Sequence, residues 1–420
     1  MFEDCQKTDE LNDPLLVVRG DKIVKEAKVE RALIPHLDDD CRGDPLLERQ
    51  RDGKLRLIFQ STGATLKNTP NCGSFRMLTS LDEGHTWSEE QVCPGPLSGQ
   101  ADVTGFGVLP DDSLLLNWST LAPADSWRGD RLGRARGTGG WNEAERGSLE
   151  GFFHAMYVAR STDGGRTWSE PVELDSRPFD MAGGLTRPLV LRDGTTLLSQ
   201  GLRFGSGYDS VPDCQPLPPA RMGIRGVIYR SADGGRTWGD RTLMLNNGCE
   251  ARLVELESGR LLAAVRCQLM DAGLLGSVWD EARKEWTDPY DLRVPDDQGH
   301  KHLWVAESND RGQTWERPRL VTGDRADCPG EPLLLPDGRI LLVYCRRARP
   351  DPGVGAIVSR DGGRTWDEEQ IILKLNRDTE NGTYPSSSLL ADGTVVTVTG
   401  KNHGNRVQAI HWQVPEYRSN

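Results

Sequence analysis

Long apolar runs are missing. No stretch of the 420 residues approaches the ~18 consecutive apolar positions of a membrane-spanning helix, so no helical span is expected. Positive charge is in deficit. The 51 Lys+Arg against 63 Asp+Glu leave a net charge of −12, so the overall field repels polyanions and nucleic acid is excluded as a general partner. Any anion must meet a local arginine or lysine cluster. Metal and cofactor signatures are absent as well. There is no His-Glu-x-x-His, no Cys-x-x-Cys, no phosphate-binding loop and no dinucleotide fingerprint. The pair in His300-Lys301-His302 reads as loop surface, so neither metal nor cofactor is expected. Nine cysteines, an odd number without paired spacing, read as free thiols in a reducing compartment. The acidic start MFEDCQKTDELNDPLLVVRG lacks a basic segment followed by an apolar one. That predicts a cytoplasmic protein, or a secreted one whose leader has been removed. Two segments, Asn117-Trp118-Ser119 and Asn381-Gly382-Thr383, fit the glycosylation sequon, which matters only for a protein secreted by a eukaryote.

What is present is glycine (47), proline (25) and tryptophan (12), arranged in a repeat. The glycine has no collagen period, and the tryptophan argues against disorder. One octapeptide, S-x-D-x-G-x-T-W, occurs five times, starting at Ser80, Ser161, Ser231, Ser308 and Ser359. Each copy follows a strand-like run such as FRMLTS or GVIYRS. The spacing predicts a tight hairpin in which the Asp carboxylate accepts turn N–H groups, the Gly takes a positive φ and the Trp packs beneath. A second hairpin signal interleaves with the first at Asp52-Gly53, Asp111-Asp112, Asp193-Gly194, Ser258-Gly259, Asp337-Gly338 and Asp392-Gly393. Each turn-plus-box pair supplies four strands, and six such sheets consume the chain.

The pattern predicts an all-β fold: a six-bladed β-propeller of four-stranded antiparallel blades. The sixth unit runs out of sequence after strands near 386–390, 394–399 and 406–412. Its missing strand is expected from the N-terminus, around 22–31, closing the ring. Residues 1–420 read as one domain, with 1–20 as an N-terminal arm. Three connections, 121–153, 203–222 and 268–301, are too long for plain hairpins and suit lids or specificity loops.

Propellers bind ligands at one mouth of the central channel, where the innermost strand of each blade begins. Those six starts are Cys41-Arg42-Gly43-Asp44-Pro45, Gln100-Ala101-Asp102, Leu185-Thr186-Arg187-Pro188, Cys249-Glu250-Ala251-Arg252, Pro329-Gly330-Glu331-Pro332 and Thr383-Tyr384-Pro385. Each carries a charge or a tyrosine where a dry channel wants apolar groups. They converge on a ring of Arg42, Asp44, Asp102, Arg187, Glu250, Arg252, Glu331 and Tyr384. Arg203, Arg266, Arg346, Arg347 and Lys401 end the second strands. A charged ring of this kind either pairs with itself or binds something.

The octapeptides resemble the Asp-box, or BNR repeat, and over nearly the whole chain the six units resemble the sialidase (neuraminidase) superfamily. The resemblance carries Glu250 in CEARLVELESGRLLAAVR, with Arg266 sixteen residues on, Tyr384 in TYPSSSLLADG, Arg42 in CRGDPLLERQRDG, and Asp102. It implies an exo-glycosidase acting on a terminal acidic sugar such as sialic acid. Tyr384 is then the nucleophile, Glu250 its base, and Arg42 with Arg266 a clamp for the sugar carboxylate. The stretch 61–74, where the family carries its acid, holds no Asp or Glu, which leaves Asp44 as the nearest acid. No arginine lies on the strand 354–358; Arg346, Arg347 and Arg349 lie upstream of it, and Arg349 is taken into the substrate-binding set. Arg187, Arg252, Asp102 and Glu331 complete the expected substrate-binding set. Two alternatives stay open. One is a lyase or two-carboxylate glycosidase using Asp44, Asp102, Glu250 and Glu331. The other is a non-enzymatic binding or assembly propeller, which predicts a ring closed by mutual ion pairs, with Tyr384 and Glu250 apart. The expected partner is a small molecule or glycan, and the sequence leaves the oligomeric state unread.

Overall fold

The structure, a computed structural model, describes residues 10–34, 41–61, 75–88, 91–93, 101–123, 152–177, 181–184, 186–203, 225–246, 248–268, 278–280, 285–287, 301–322, 327–346, 352–375, 384–400 and 407–417. Apart from a 3-10 turn at Glu10–Asn12, the described elements are all strands. They form six antiparallel sheets arranged as the blades of a propeller, as the repeat predicts, plus a small hairpin. Blade one holds Cys41–Arg49, Leu55–Ser61, Phe75–Ser80 and Gln91–Val92. Blade four holds Gly248–Glu255, Leu261–Gln268, Lys301–Ser308 and Arg319–Leu320. The hairpin lies within the third long connection, where Val278–Asp280 pairs with Glu285–Thr287.

Closure of the ring differs in detail from the expectation. The fourth strand of blade six is Glu30–Leu33, which pairs with Gln408–Trp412. Residues 15–27 instead fold back as a hairpin, Leu15–Arg19 with Lys22–Ala27, and add two strands to the outside of blade five. Arg31 fastens the closing strand by donating to the Asp13, Leu373 and Gln408 oxygens at 3.0, 2.6 and 3.2 Å. Charge alternation in KIVKEA reads as strand but does not say which sheet it joins, because both of its faces stay mostly exposed.

The two repeats do the local work predicted for them. In all six interleaved turns the second residue has positive φ, from 61° at Asp112 to 90° at Gly53. In the octapeptides the carboxylate accepts from the Thr four residues on: Thr86 N and Oγ1 reach Asp82 at 2.8 and 2.6 Å. The Ser Oγ accepts from the Gly N–H at 2.7 Å in the first copy and 2.8 Å in the other four. Two consecutive residues, not one, take positive φ, as at Gly164 (75°) and Gly165 (88°). The Thr86 hydroxyl and amide hold the Asp82 carboxyl down to about 2, against partial burial.

Each octapeptide also plugs a blade interface. A Cβ at Gly165 of blade two would come 2.4 Å from Met77 Cε of blade one, and one at Gly235 2.6 Å from Leu115 of blade two. Gly235→Ala therefore combines a left-handed backbone with a clash against the fully buried Leu115, and is expected to cost about 2–4 kcal/mol in urea unfolding. The same change at Gly194, whose φ is 88° but which has nothing within 4 Å, isolates the backbone part and is expected to cost about 1 kcal/mol. Equal losses at the two sites would show that interface packing contributes nothing.

Between blades the core is apolar. Leu46, Ile58, Phe75, Met77, Phe106, Leu114, Leu116 and Trp118 form one such layer. Cys93, Cys249, Cys267 and Cys345 are buried, and burial pushes the Cys93 thiol up to about 12. Asn117 is fully buried, donates to Tyr157 O at 3.2 Å and accepts from Thr104 and Gln200 at 2.9 and 2.8 Å. It is a core amide rather than a glycan acceptor. Asn381 lies outside the described residues.

Candidate active site

Innermost strands share a device at the channel mouth. The register shifts between Arg42 and Leu46 in blade one, Val103 and Gly105 in blade two, Cys249 and Arg252 in blade four, and Asp327 and Gly330 in blade five. Such bulges add residues to one strand and re-aim side chains. In blade four the bulge leaves Glu250 and Ala251 facing one partner residue, and Glu250 takes φ 50°. Two neighbours brace it. The Ser199 hydroxyl donates to the Ala251 carbonyl, and Gly184 of blade three lies so close that a Cβ there would sit 3.2 Å from Glu250 N. Without the bulge, Glu250 and Arg252 would share one face. With it, Glu250 joins the mouth and Arg252 joins the channel wall below.

At the mouth, the second strand of blade four brings Arg266 opposite Cys249. Arg266 Nη1 donates to Glu250 Oε1 at 2.5 Å and to the Tyr384 hydroxyl at 3.1 Å. One guanidinium nitrogen thus joins a carboxylate of blade four to a phenol at the start of blade six. Side chains of Glu250 and Arg266 are each 11% exposed, and Tyr384 is 7% exposed as a residue, so the group is largely screened from bulk water. Charge-assisted bonds in such a setting are stronger than neutral ones. The contact lies 118 residues apart in sequence. Tyr384 and Glu250 meet through one arginine, and the Arg266–Glu250 pair closes this part of the ring by a mutual ion pair, as a binding propeller also predicts.

Below the mouth lies a second cluster. Arg187 of blade three pairs with Glu48 of blade one and, at 2.9 Å, with Glu331 of blade five. Arg252 of blade four pairs with Glu331 at 2.9 Å. Arg187 also donates to the Leu47 and Ser387 carbonyls at 2.7 and 3.0 Å, and Glu331 accepts from Ser387 N at 2.6 Å. Five blades are therefore tied across the axis. The sequence placed Arg187, Arg252 and Glu331 in the ring; their charges are spent on one another and on backbone groups. Glu48 and Ser387 were missed, because in PLLERQ the glutamate looks like any charged position of an alternating strand.

Burial pushes the Glu48 carboxyl up to about 7; Arg187 pulls it back and Glu331 adds to the rise. A carboxyl raised above its unfolded value of ~4.3 keeps a proton in the folded chain after the unfolded chain has lost it. Its contribution to stability is therefore greatest below ~4.3 and falls as pH rises to about 7. Glu48→Gln removes that slope. Its urea midpoint is expected to gain on the wild type between about pH 5 and about pH 8. A pH-independent gap between the two would contradict the buried-carboxyl account.

The backbones of Arg42 and Asp102 sit in innermost strands opposite Gln60 and Ser119, and Asp44 lies in the bulge that follows Arg42. The side chains of these three, the whole of Arg349, Arg347 and Lys401, and the side chain of Arg203 lie outside the described residues. Arg346 is described and buried. It faces Asp327, the residue before the bulge of blade five, as Arg266 faces Cys249 in blade four, and on its other side it faces Gly353. Its stem covers Gly355, where a Cβ would come 2.7 Å from Arg346 Cδ. The glycines at 353 and 355 were the signal that could have singled it out. Among the described residues no group of three His, Cys, Asp or Glu is placed to hold a metal ion, and no helix is long and apolar enough to cross a membrane.

No protein-family profile matches the chain. Two curated relatives do. A sialidase of Micromonospora viridifaciens is 24% identical over 357 residues, 83% of this chain and 48% of that protein. A sialidase of Bacteroides fragilis is 25% identical over 318 residues, 70% of this chain and 48% of that protein. The chain thus spans about half the length of the curated relatives it matches. Among solved structures, a Dyadobacter fermentans protein of unknown function superposes with a TM-score of 0.65 at 18% identity, covering 92% of this chain and 99% of that one. The Hadza microbial sialidase Hz136 superposes with a TM-score of 0.61 at 16% identity, covering 94% and 71%. Fold, weak sequence similarity and blade count agree: the chain is a sialidase-like six-bladed β-propeller.

Proposed function

We propose that this propeller is an exo-glycosidase that hydrolyses a terminal acidic sugar of the sialic-acid type. The observation that carries the reading is the single Arg266 nitrogen bonded to both the Glu250 carboxylate and the Tyr384 hydroxyl, at 2.5 and 3.1 Å. A sugar with a carboxylate on its anomeric carbon repels a carboxylate nucleophile. A neutral phenol whose proton passes to a neighbouring glutamate avoids that repulsion. In the first step the Tyr384 oxygen bonds to the anomeric carbon as the glycosidic C–O bond breaks. The phenolic proton goes to Glu250, and the leaving alcohol takes a proton from an acid, for which Asp44 is the candidate. In the second step water displaces the tyrosyl oxygen, giving one proton to the Asp44 carboxylate while Glu250 returns its proton to the departing phenolate, which regenerates the site. Arg266 stabilises the negative charge as it passes from the Glu250 carboxylate to the phenol oxygen. Its outer face, with Arg42, receives the sugar carboxylate. Arg346 supplies a further guanidinium from the matching position of blade five. Two displacements give retained configuration. Proton NMR of the first-formed sugar from an aryl sialoside is expected to show the substrate's anomer, and an inverted product would remove Tyr384 as nucleophile.

A further inference from the structure

The tyrosine and the glutamate belong to blades six and four, so small displacements at two blade interfaces add up in their separation. We propose that Arg252 and Glu331 are positioning residues that set the Tyr384 segment against Glu250 from beneath. This rests on the reading of the site just given. Arg252 follows Glu250 by two residues, and its Nη1 reaches both Glu331 and the Pro385 carbonyl, at 2.9 and 3.1 Å. Glu331 in turn accepts from Ser387 N at 2.6 Å. The two residues therefore grip the chain one and three positions after Tyr384. That chain is already stiff: Pro385 fixes its own φ and confines Tyr384 to extended backbone. Gripping Pro385 and Ser387 leaves Tyr384 little freedom except at its ring torsions.

Stability alone explains the pair poorly. Arg252 is 2% and Glu331 1% exposed, and a buried ion pair is often no more stabilising than apolar residues of the same volume. What the pair supplies is a short rigid path between two segments whose reacting atoms must meet. A 1 Å misplacement of a reacting group can cost about 10²-fold in rate.

The test compares full-length Arg252→Met and Glu331→Gln with Glu307→Gln. Glu307 pairs with Arg260 and Arg319 away from the mouth and serves as a control for lost stability. Two quantities are read: kcat and KM on an aryl sialoside, and the Arg266 Nη1 to Tyr384 OH separation in crystal structures. Arg252→Met is expected to lower kcat by about 10–100-fold with KM changed less than about threefold, and to open the separation beyond hydrogen-bond distance. Glu331→Gln keeps an acceptor for Ser387 N and is expected to lose less. Glu307→Gln is expected to lower the unfolding midpoint and leave kcat unchanged. A wild-type kcat in Arg252→Met, or an unmoved Tyr384 in its crystals, overturns the proposal. If the wild type cleaves no glycoside, the functional reading fails, and the crystallographic separation alone decides the positioning role.

Discussion

Tyr384→Phe is expected to lower kcat on an aryl sialoside by about 10⁴-fold or more, with little change in thermal unfolding. The argument is local. The variant keeps the ring, which fills a buried site beside Pro385, and removes the oxygen that Arg266 reaches at 3.1 Å. The lost hydrogen bond costs about 1 kcal/mol of stability. The lost oxygen is the atom that forms the bond to the anomeric carbon, and the 2.5 Å bond between Arg266 and Glu250 does not depend on it. Any activity left would have to come from direct attack by water, which inverts configuration. Rate and product anomer together therefore separate a damaged site from a changed mechanism. Activity within about tenfold of wild type, with retention, would take Tyr384 out of the chemistry.

Arg266→Ala is the second large effect. It removes the donor shared by Glu250 and Tyr384 and, in the proposed mechanism, one of the groups that hold the sugar carboxylate. Losing a buried charge-assisted partner is worth about 2–5 kcal/mol, so kcat/KM on an acidic glycoside is expected to fall by at least about 30-fold. Stability falls too, because the Glu250 carboxylate loses its cation in a largely buried site. Rates are therefore compared per folded molecule, with kcat separated from KM on the same acidic glycoside. A rise in KM beside the fall in kcat is expected. A fall in kcat alone would leave Arg266 as a brace for Glu250 with no part in recognising the carboxylate. Arg266→Lys keeps the charge without the two-pronged geometry, and an intermediate rate is expected.

Most of the blade architecture was legible because its signals are local. A turn whose second residue takes positive φ and an octapeptide that satisfies its own N–H groups need only neighbours in sequence, and the copies announced the blade count. Closure was legible in kind and shifted in place. Gln408 pairs with Leu33 across most of the chain, and nothing in 22–33 marks which few residues continue blade six and which add to blade five. Pseudo-symmetry likewise brought the right strands to one mouth. What it missed was depth. Glu250 and Arg252 lie two apart in CEAR, yet a bulge sends one to the mouth and the other to the wall below. The buried network of Arg187, Arg252, Glu331 and Glu48 arises from four blades at once, and no spacing in one strand encodes it.

A panel of aryl glycosides tests the central claim most directly: α-linked sialic acid, glucuronic acid, galacturonic acid, galactose and glucose, each offered to the wild-type chain. The account predicts release from the sialoside with retained configuration, weaker or no release from the uronic acids, and none from the neutral sugars. Efficient cleavage of a neutral glycoside, or no cleavage of any of the five by the folded protein, would contradict it.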